Sequence, residues 1–248
     1  MKILVTGGAG FIGSFIVDRL VEEGHDVRIF DNLEPQVHHN RIPSYLNKNA
    51  EFVKGDVLNY NALKNALQDI EVVFHEAAIV GVGQSMYEIS RYSNANTMGT
   101  ANLLDILVNT ENNVKKILLA SSMSTYGEGS YLCEKCGLVN PGLREEKQME
   151  RHDWELYCPN CKKKLKPENT KESKAQEVTS IYATTKKTQE DMVINIGKSY
   201  GIPAVALRYF NVYGPRQSLS NPYTGVAAIF MSRIKMEHFF VTQNRSVM

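Results

Sequence analysis

The sequence predicts a doubly wound α/β protein, a parallel sheet with helices on both faces, interrupted by one inserted segment of a different kind. Three observations carry that expectation. Short apolar runs rich in β-branched residues recur at residues 2–6, 27–31, 51–53, 72–75, 116–120 and 203–209, with segments of helical period between them. A glycine-rich loop joins the first run to the first helical segment. Four cysteines fall as two Cys-x-x-Cys pairs inside residues 128–177, where Lys, Glu and Asn dominate and the strand-helix alternation stops.

The elements follow in order. Strand 2–6 runs into Thr6-Gly7-Gly8-Ala9-Gly10-Phe11-Ile12-Gly13-Ser14. Helical spacing then carries Phe11, Ile12, Phe15, Ile16 and Leu20 onto one face, and Gly24 closes the helix. The run at 27–31 ends in Asp31, 24 residues after Gly7. Helices are expected at 61–68, 94–108 and 182–200, the last placing Tyr182 and Lys186 one turn apart on one face. Strands alternating with helices of this length imply right-handed crossovers and parallel pairing.

Composition sets outer bounds. The chain has 248 residues, 43% hydrophobic, with 28 Lys and Arg against 27 Asp and Glu, a net charge of +1. No charge excess asks for nucleic acid or a membrane surface. The apolar N-terminus is too short and too glycine-rich for a signal peptide, and no run reaches the length of a membrane span, so a cytoplasmic location is expected. In a reducing compartment, cysteines in two tight pairs point to metal rather than to disulfides.

Three glycines, Gly7, Gly10 and Gly13, allow a tight turn and close backbone approach, so that free amides at a helix N-terminus can face a pyrophosphate. A carboxylate at the end of the second strand, Asp31, accepts the ribose hydroxyls of an adenosine and repels a 2′-phosphate. No arginine follows it, so NAD is expected rather than NADP. Asp56, in Gly55-Asp56-Val57, is placed either to reach the adenine edge or simply to form a strand-end turn. Tyr182-Ala-Thr-Thr-Lys186 puts a phenol beside an ammonium. An ordinary tyrosine, with a pKa near ~10, is too weak an acid to serve as a base at neutral pH, and a nearby cation favours the phenolate. Ser122, at the end of the fifth run, supplies a hydroxyl for the same phenol and a substrate oxygen.

Together these pieces resemble the extended short-chain dehydrogenase/reductases, specifically the NAD-dependent sugar-nucleotide epimerases and dehydratases, with a Rossmann-like fold. The matching stretches are Thr6 to Ser14, Asp31-Asn32, Gly55-Asp56-Val57, His75-Glu-Ala-Ala78, Asn96-x-x-Gly-Thr100, Ser121 to Gly127, Tyr182 to Lys186 and Arg208-Tyr-Phe-Asn-Val-Tyr-Gly-Pro-Arg216. The resemblance implies a general base in Tyr182, activated by Lys186, with Ser122 as third catalytic group. It implies cofactor contacts from Gly7, Gly10, Phe11, Ile12, Gly13, Asp31, Asn32, Asp56, Val57, Ala77, Asn96 and Tyr182, and from Lys186 as a ribose ligand. Asn211 and Arg216, with Ser122, would meet the nucleotide-sugar. It also implies a homodimer through helices 94–108 and 182–200.

Departures narrow the reaction. Dehydratases of the family carry an acidic pair where this chain has Met123 and Ser124, and the decarboxylase branch expects a glutamate in place of Ser124. Reversible oxidation at sugar C4 without elimination remains, which is epimerisation. Stretches 80–88 and 217–225 look most like the dTDP-L-rhamnose 4-epimerase group, with UDP-glucose and UDP-glucuronate 4-epimerases as competitors. Val80 stands where galactose epimerases commonly have lysine.

Cys133, Cys136, Cys158 and Cys161 have the look of two zinc knuckles that close one tetrahedral, structural site. The Lys162-Lys-Lys164 run is balanced by Glu145, Glu146, Glu150 and Glu155, and the His38-His39 pair reads as surface. The expected organisation is a cofactor-binding domain at 1–127 and 178–234, an inserted zinc ribbon at 128–177, and an atypical tail at 235–248 where a substrate lobe would continue. A truncated C-terminal lobe leaves a second expectation open, an NAD-binding module or fragment without catalysis.

Overall fold

The computed structural model describes residues 1–218 together with Phe230, Met231, Arg233 and Ile234. The tail 235–248 and most of the stretch 217–225 lie outside the described residues. In chain order the elements are β1 (Lys2–Thr6), α1 (Phe11–Glu22), β2 (Asp26–Asp31), α2 (Pro35–His38), β3 (Glu51–Lys54), α3 (Tyr60–Ala66), β4 (Val72–His75), α4 (Val82–Ser85) and α5 (Ile89–Tyr92). A π-helical turn (Ser93–Met98) leads into α6 (Gly99–Asn109). Then follow β5 (Lys116–Ser122), a 3-10 turn (Met123–Tyr126), β6 (Ser130–Cys133), β7 (Gly137–Val139), α7 (Glu146–Glu150), β8 (Lys166–Glu168), α8 (Ile181–Tyr200) and β9 (Ala204–Tyr209).

Six strands form one sheet in the order β3-β2-β1-β4-β5-β9, every pair parallel. Chain direction across the sheet reverses between β1 and β4, and the crevice above that point is where open α/β sheets take ligands. The alternation of β1 shows why the sheet is buried on both faces. Ile3 and Val5 join Val17, Val27 and Ile29 under α1, whereas Leu4 joins Leu103, Ile106, Ile117 and Val193 under α6 and α8. Each such side chain contributes about 1.5–3 kcal/mol when fully buried.

Local chemistry sets the helix ends. Gly24, at φ +78°, follows the last turn of α1 in the left-handed conformation that a side chain resists. Asn59 accepts from the Ala62 amide at the start of α3, and Ser180 from the Ala183 amide at the start of α8. The helix expected at 94–108 differs most from the structure: it begins at Ile89 and passes through the π-helical turn before α6.

Residues 128–177 hold more order than their composition suggests. A three-stranded antiparallel sheet, β7-β6-β8, is built there around a small core of Cys133, Val139, Leu156, Cys158 and Leu165. Among the described residues no helix is long and apolar enough to cross a membrane.

Candidate active site

The glycine loop lies at the reversal point of the sheet. Gly7 sits at φ +70°, and a Cβ there would come within 2.7 Å of the Ala77 backbone nitrogen. At Gly13 the same atom would meet the Gly7 carbonyl at 2.3 Å. The loop is therefore closed to side chains from within, while no side chain caps the N-terminus of α1. An uncapped helix start behind a glycine cradle fits a dinucleotide pyrophosphate.

Asp31 is buried, and both of its oxygens are engaged: Oδ2 accepts from the Ala9 amide at 3.1 Å and Oδ1 from the Leu33 amide at 2.8 Å. Burial raises its pKa, opposed by those amides and by His38. The acid thus shapes the glycine loop, a role that spacing alone did not reveal. Asn32 donates to Asp56 Oδ2 at 2.9 Å, and Asp56 Oδ1 accepts from the Leu58 amide at 2.8 Å, the turn-forming behaviour weighed for it above. Val57 packs against Gly99, whose Cβ would collide with it at 2.5 Å. The expectation that His38 is plain surface is corrected. Its ring is half-buried and its pKa is lowered by burial, against the charges of Asp31 and Glu34.

Ser122 ends β5, and its Oγ accepts from the amide and the hydroxyl of Ser124 at 3.1 and 2.9 Å. Tyr182 opens α8, where its amide donates to Ser85 Oγ at 3.0 Å and its ring meets Tyr92 edge to face. Burial pushes the Tyr182 phenol up to about 12, while a hydrogen bond with Ser122 pulls it back. Lys186 is also buried, and its Nζ donates to the Ala120 carbonyl at 2.8 Å. Burial lowers its pKa to about 8, opposed by the Glu76 charge. The ammonium gives one of its three N–H groups to that carbonyl, which leaves two, and the phenol's shift comes from burial opposed by Ser122.

Asn96 is fully buried in the π-helical turn. Its Oδ1 accepts from the Ile79 amide at 2.8 Å, and its Nδ2 donates to Ile79 O and Thr185 Oγ1 at 3.1 and 3.0 Å. It ties the loop after β4 to α8. A buried polar chain that the sequence reading missed runs alongside. Thr100 Oγ1 donates to Asn96 O and accepts from Gln189 Nε2, so its remaining lone pair takes the Nε2–H of His75. His75 Nδ1 is then an acceptor for Thr6 Oγ1–H at 2.8 Å, and Thr6 in turn accepts from the Ala77 amide. In this arrangement His75 is neutral, in keeping with a pKa lowered to about 3 by burial and then by Lys186, while Gln189 Oε1 is buried without a partner. Glu76, next in sequence, bonds Tyr209 Oη at 3.2 Å, and burial pushes it up to about 7. The string His75-Glu-Ala-Ala was the available signal, but a string does not say which way its side chains point.

Asn211 is exposed. Arg216 is drawn to α1, where it pairs with Asp18 at 2.6 Å and lies over the rings of Phe15 and Tyr45. A groove of about 530 Å³ runs along that helix, lined by Phe11, Phe15, Leu20, Phe74 and Tyr213 among others. A second, of about 480 Å³, opens between His38, Arg41, Tyr45 and Arg216. Ser122 and Tyr182 line neither.

The four cysteines are free thiols whose sulfurs all lie within 4.8 Å of one another, Cys133 and Cys161 at 3.5 Å. Sulfurs at the corners of a tetrahedral zinc site, with bonds of about 2.3 Å, stand ~3.8 Å apart, so the donor set fits that ion.

The fold and loop define a dinucleotide-binding α/β protein. Residues 3–143 and 155–246 match the model of the NAD dependent epimerase/dehydratase family, and the chain belongs to that family. It is 40% identical over 243 residues to the dTDP-L-rhamnose 4-epimerase of Burkholderia thailandensis, covering 95% of this chain and 64% of that protein. A putative UDP-glucose 4-epimerase of Methanocaldococcus jannaschii is 33% identical over 235 residues, 94% of this chain and 62% of its own length. Among solved structures, the Thermus thermophilus UDP-glucose 4-epimerase in complex with NAD is similar with a TM-score of 0.71 at 29% identity, covering 96% of this chain and 63% of that one. The chain therefore spans somewhat less than two thirds of the relatives it matches.

Proposed function

We propose that the chain carries the cofactor and catalytic half of an NAD-dependent sugar-nucleotide 4-epimerase. The observation that bears most weight is that Ser122 at the end of β5 and Tyr182 at the start of α8 are both buried and close enough for the serine to lower the phenol's pKa, with Lys186 one turn along α8. Gly7, Gly10, Phe11, Ile12 and Gly13 would hold the pyrophosphate, Asp31 and Asn32 the adenosine ribose, and Asp56 and Val57 the adenine. Ala77 and Asn96 shape the nicotinamide side. NAD, when bound, supplies the hydride acceptor and donor.

Tyr182 Oη takes the proton from the sugar C4 hydroxyl, and Ser122 Oγ holds the same oxygen through the oxidation. After the sugar turns its other face to the cofactor, the tyrosine returns the proton and C4 is inverted. Asn211 and Arg216 remain the substrate-phosphate candidates; for Arg216 that role requires leaving Asp18. The 40% identity to a dTDP-L-rhamnose epimerase supports that sugar as first choice. The four cysteines hold a structural zinc ion, residues 128–177 are an inserted ribbon, and α6 and α8 form a homodimer face.

A second reading is an NAD-binding module without turnover, favoured by a Tyr182 phenol that burial holds in its protonated form. Incubating the purified chain, with NAD and zinc quantified, with dTDP-L-rhamnose and UDP-sugars and following C4 by NMR separates the two. Inversion of one sugar supports the epimerase. Bound NAD with no inversion supports the module.

A further inference from the structure

The proposed ribbon is spliced between the two halves of the proposed catalytic pair, and one side chain is bonded both to the inserted segment and to the helix that Tyr182 opens. Arg208 on β9 is paired in register with Ser121, the residue before Ser122. It grips Glu190 of α8 with two nitrogens, Nη2 at 2.6 Å and Nε at 3.2 Å, and Ser121 Oγ donates to the same carboxylate at 2.7 Å. Glu190 lies one turn beyond Lys186 on the helix that Tyr182 opens.

The remaining nitrogen of Arg208, Nη1, faces the inserted segment. It donates to Tyr126 Oη at 2.8 Å and to the Glu172 carbonyl at 2.9 Å, with the guanidinium over the Tyr126 ring. Tyr126 ends the 3-10 turn that Ser122 caps, so its position and that of the serine hydroxyl are set by the same four residues. The returning chain is fastened to this turn as well. The Glu177 amide donates to Thr125 O at 2.9 Å, and the nearly buried Lys174 ammonium to Tyr126 O at 2.7 Å. Two ion-pair hydrogen bonds, a stacked ring and a carbonyl on one guanidinium leave little freedom for any of the three elements to move alone.

Building on the epimerase reading and its zinc ribbon, we propose that Arg208 is a positioning residue that transmits the folded, metal-loaded state of the ribbon to Ser122. The ribbon core contains two of its own metal-site cysteines, so loss of the ion loosens the segment that carries Glu172 and Glu177. Arg208 then loses one side of its grip, and the 3-10 turn relaxes with it.

Hydrogen exchange at the Ser124 and Glu177 amides reads this coupling without reference to turnover. In the NAD- and metal-loaded chain, chelating the metal should speed exchange at both amides. Arg208→Lys, which cannot make the forked contact, and Tyr126→Phe, which removes only the hydroxyl, should speed it with the metal still bound. For both variants kcat should fall roughly tenfold at unchanged KM, the usual scale for losing a support of a reacting group. Tyr126→Phe decides the matter if Arg208→Lys fails to fold. Unchanged exchange at Ser124 after chelation, or variants that exchange and turn over as the parent does, would overturn the proposal. A parent chain without turnover sinks the epimerase reading, while the exchange measurement still decides the coupling.

Discussion

Tyr182 shows how little a residue's identity says about its acidity. Its phenol, pushed up to about 12 chiefly by burial, is a poor base until positive charge arrives, and the ammonium one turn away is held by Ala120 O. On the proposed function a nicotinamide cation beside it would supply such charge. On this reading Tyr182→Phe should lower turnover by about 10²- to 10⁴-fold, the range for a general base, while NAD still binds; steady-state kinetics with NAD titration checks both. Glu76 gives a pH signature. Its folded pKa of about 7 lies above the ordinary carboxyl value of about 4.3, so the native state keeps the proton longer than the unfolded chain. Its contribution to stability is complete below the unfolded value and is lost as pH rises through 7. Lys186, lowered to about 8, acts in a different window: its contribution is complete above its unfolded value near ~10.4 and is lost as pH falls through 8. The thermal midpoint of cofactor-free Glu76→Gln should therefore change less between pH 5 and 7 than that of the parent; parallel curves would contradict the assignment.

At the level of elements, the glycine loop and the cysteine ribbon fail in different ways. Gly7→Ala forces a side chain into φ +70° and against the Ala77 backbone at 2.7 Å. A cost of about 1–3 kcal/mol is expected for such a backbone, with weakened NAD binding, both accessible by thermal melting with and without the cofactor. The cysteine segment has a core of only five buried residues, two of them cysteines, so on the proposed reading an ion would replace the apolar area it lacks. Cys158→Ser should abolish stoichiometric zinc by metal analysis and expose the β6 amides to exchange, while the β1 and β4 amides stay protected. Zinc retained at one ion per chain in this variant would sink the ribbon site.

For the molecule as a whole, a cofactor that binds only the folded chain stabilises it by mass action, about 2.7 kcal/mol at a hundredfold excess over its dissociation constant. NAD should raise the melting temperature, and NADP should raise it less, because in the role proposed for Asp31 its carboxylate would meet a 2′-phosphate. Equal shifts would argue against the role given to Asp31. The six parallel strands, the glycine loop, the candidate pair Ser122 and Tyr182, and the four-cysteine cluster were legible in the chain, because each follows from local periodicity or from fixed spacing that the backbone turns into proximity. The π-helical entry to α6, the hydrogen-bonded chain through His75, the attachment of Arg216 to Asp18 and the hydrogen bond from Lys186 to Ala120 O were not. Each depends on partners distant in sequence and on how deeply a polar group is buried. The order of residues is enough to say which groups the molecule has and how the sheet presents them in turn. Which of those groups are already bonded to one another emerges only from the packed layers, because desolvation and hydrogen-bond geometry do not exist before the layers meet.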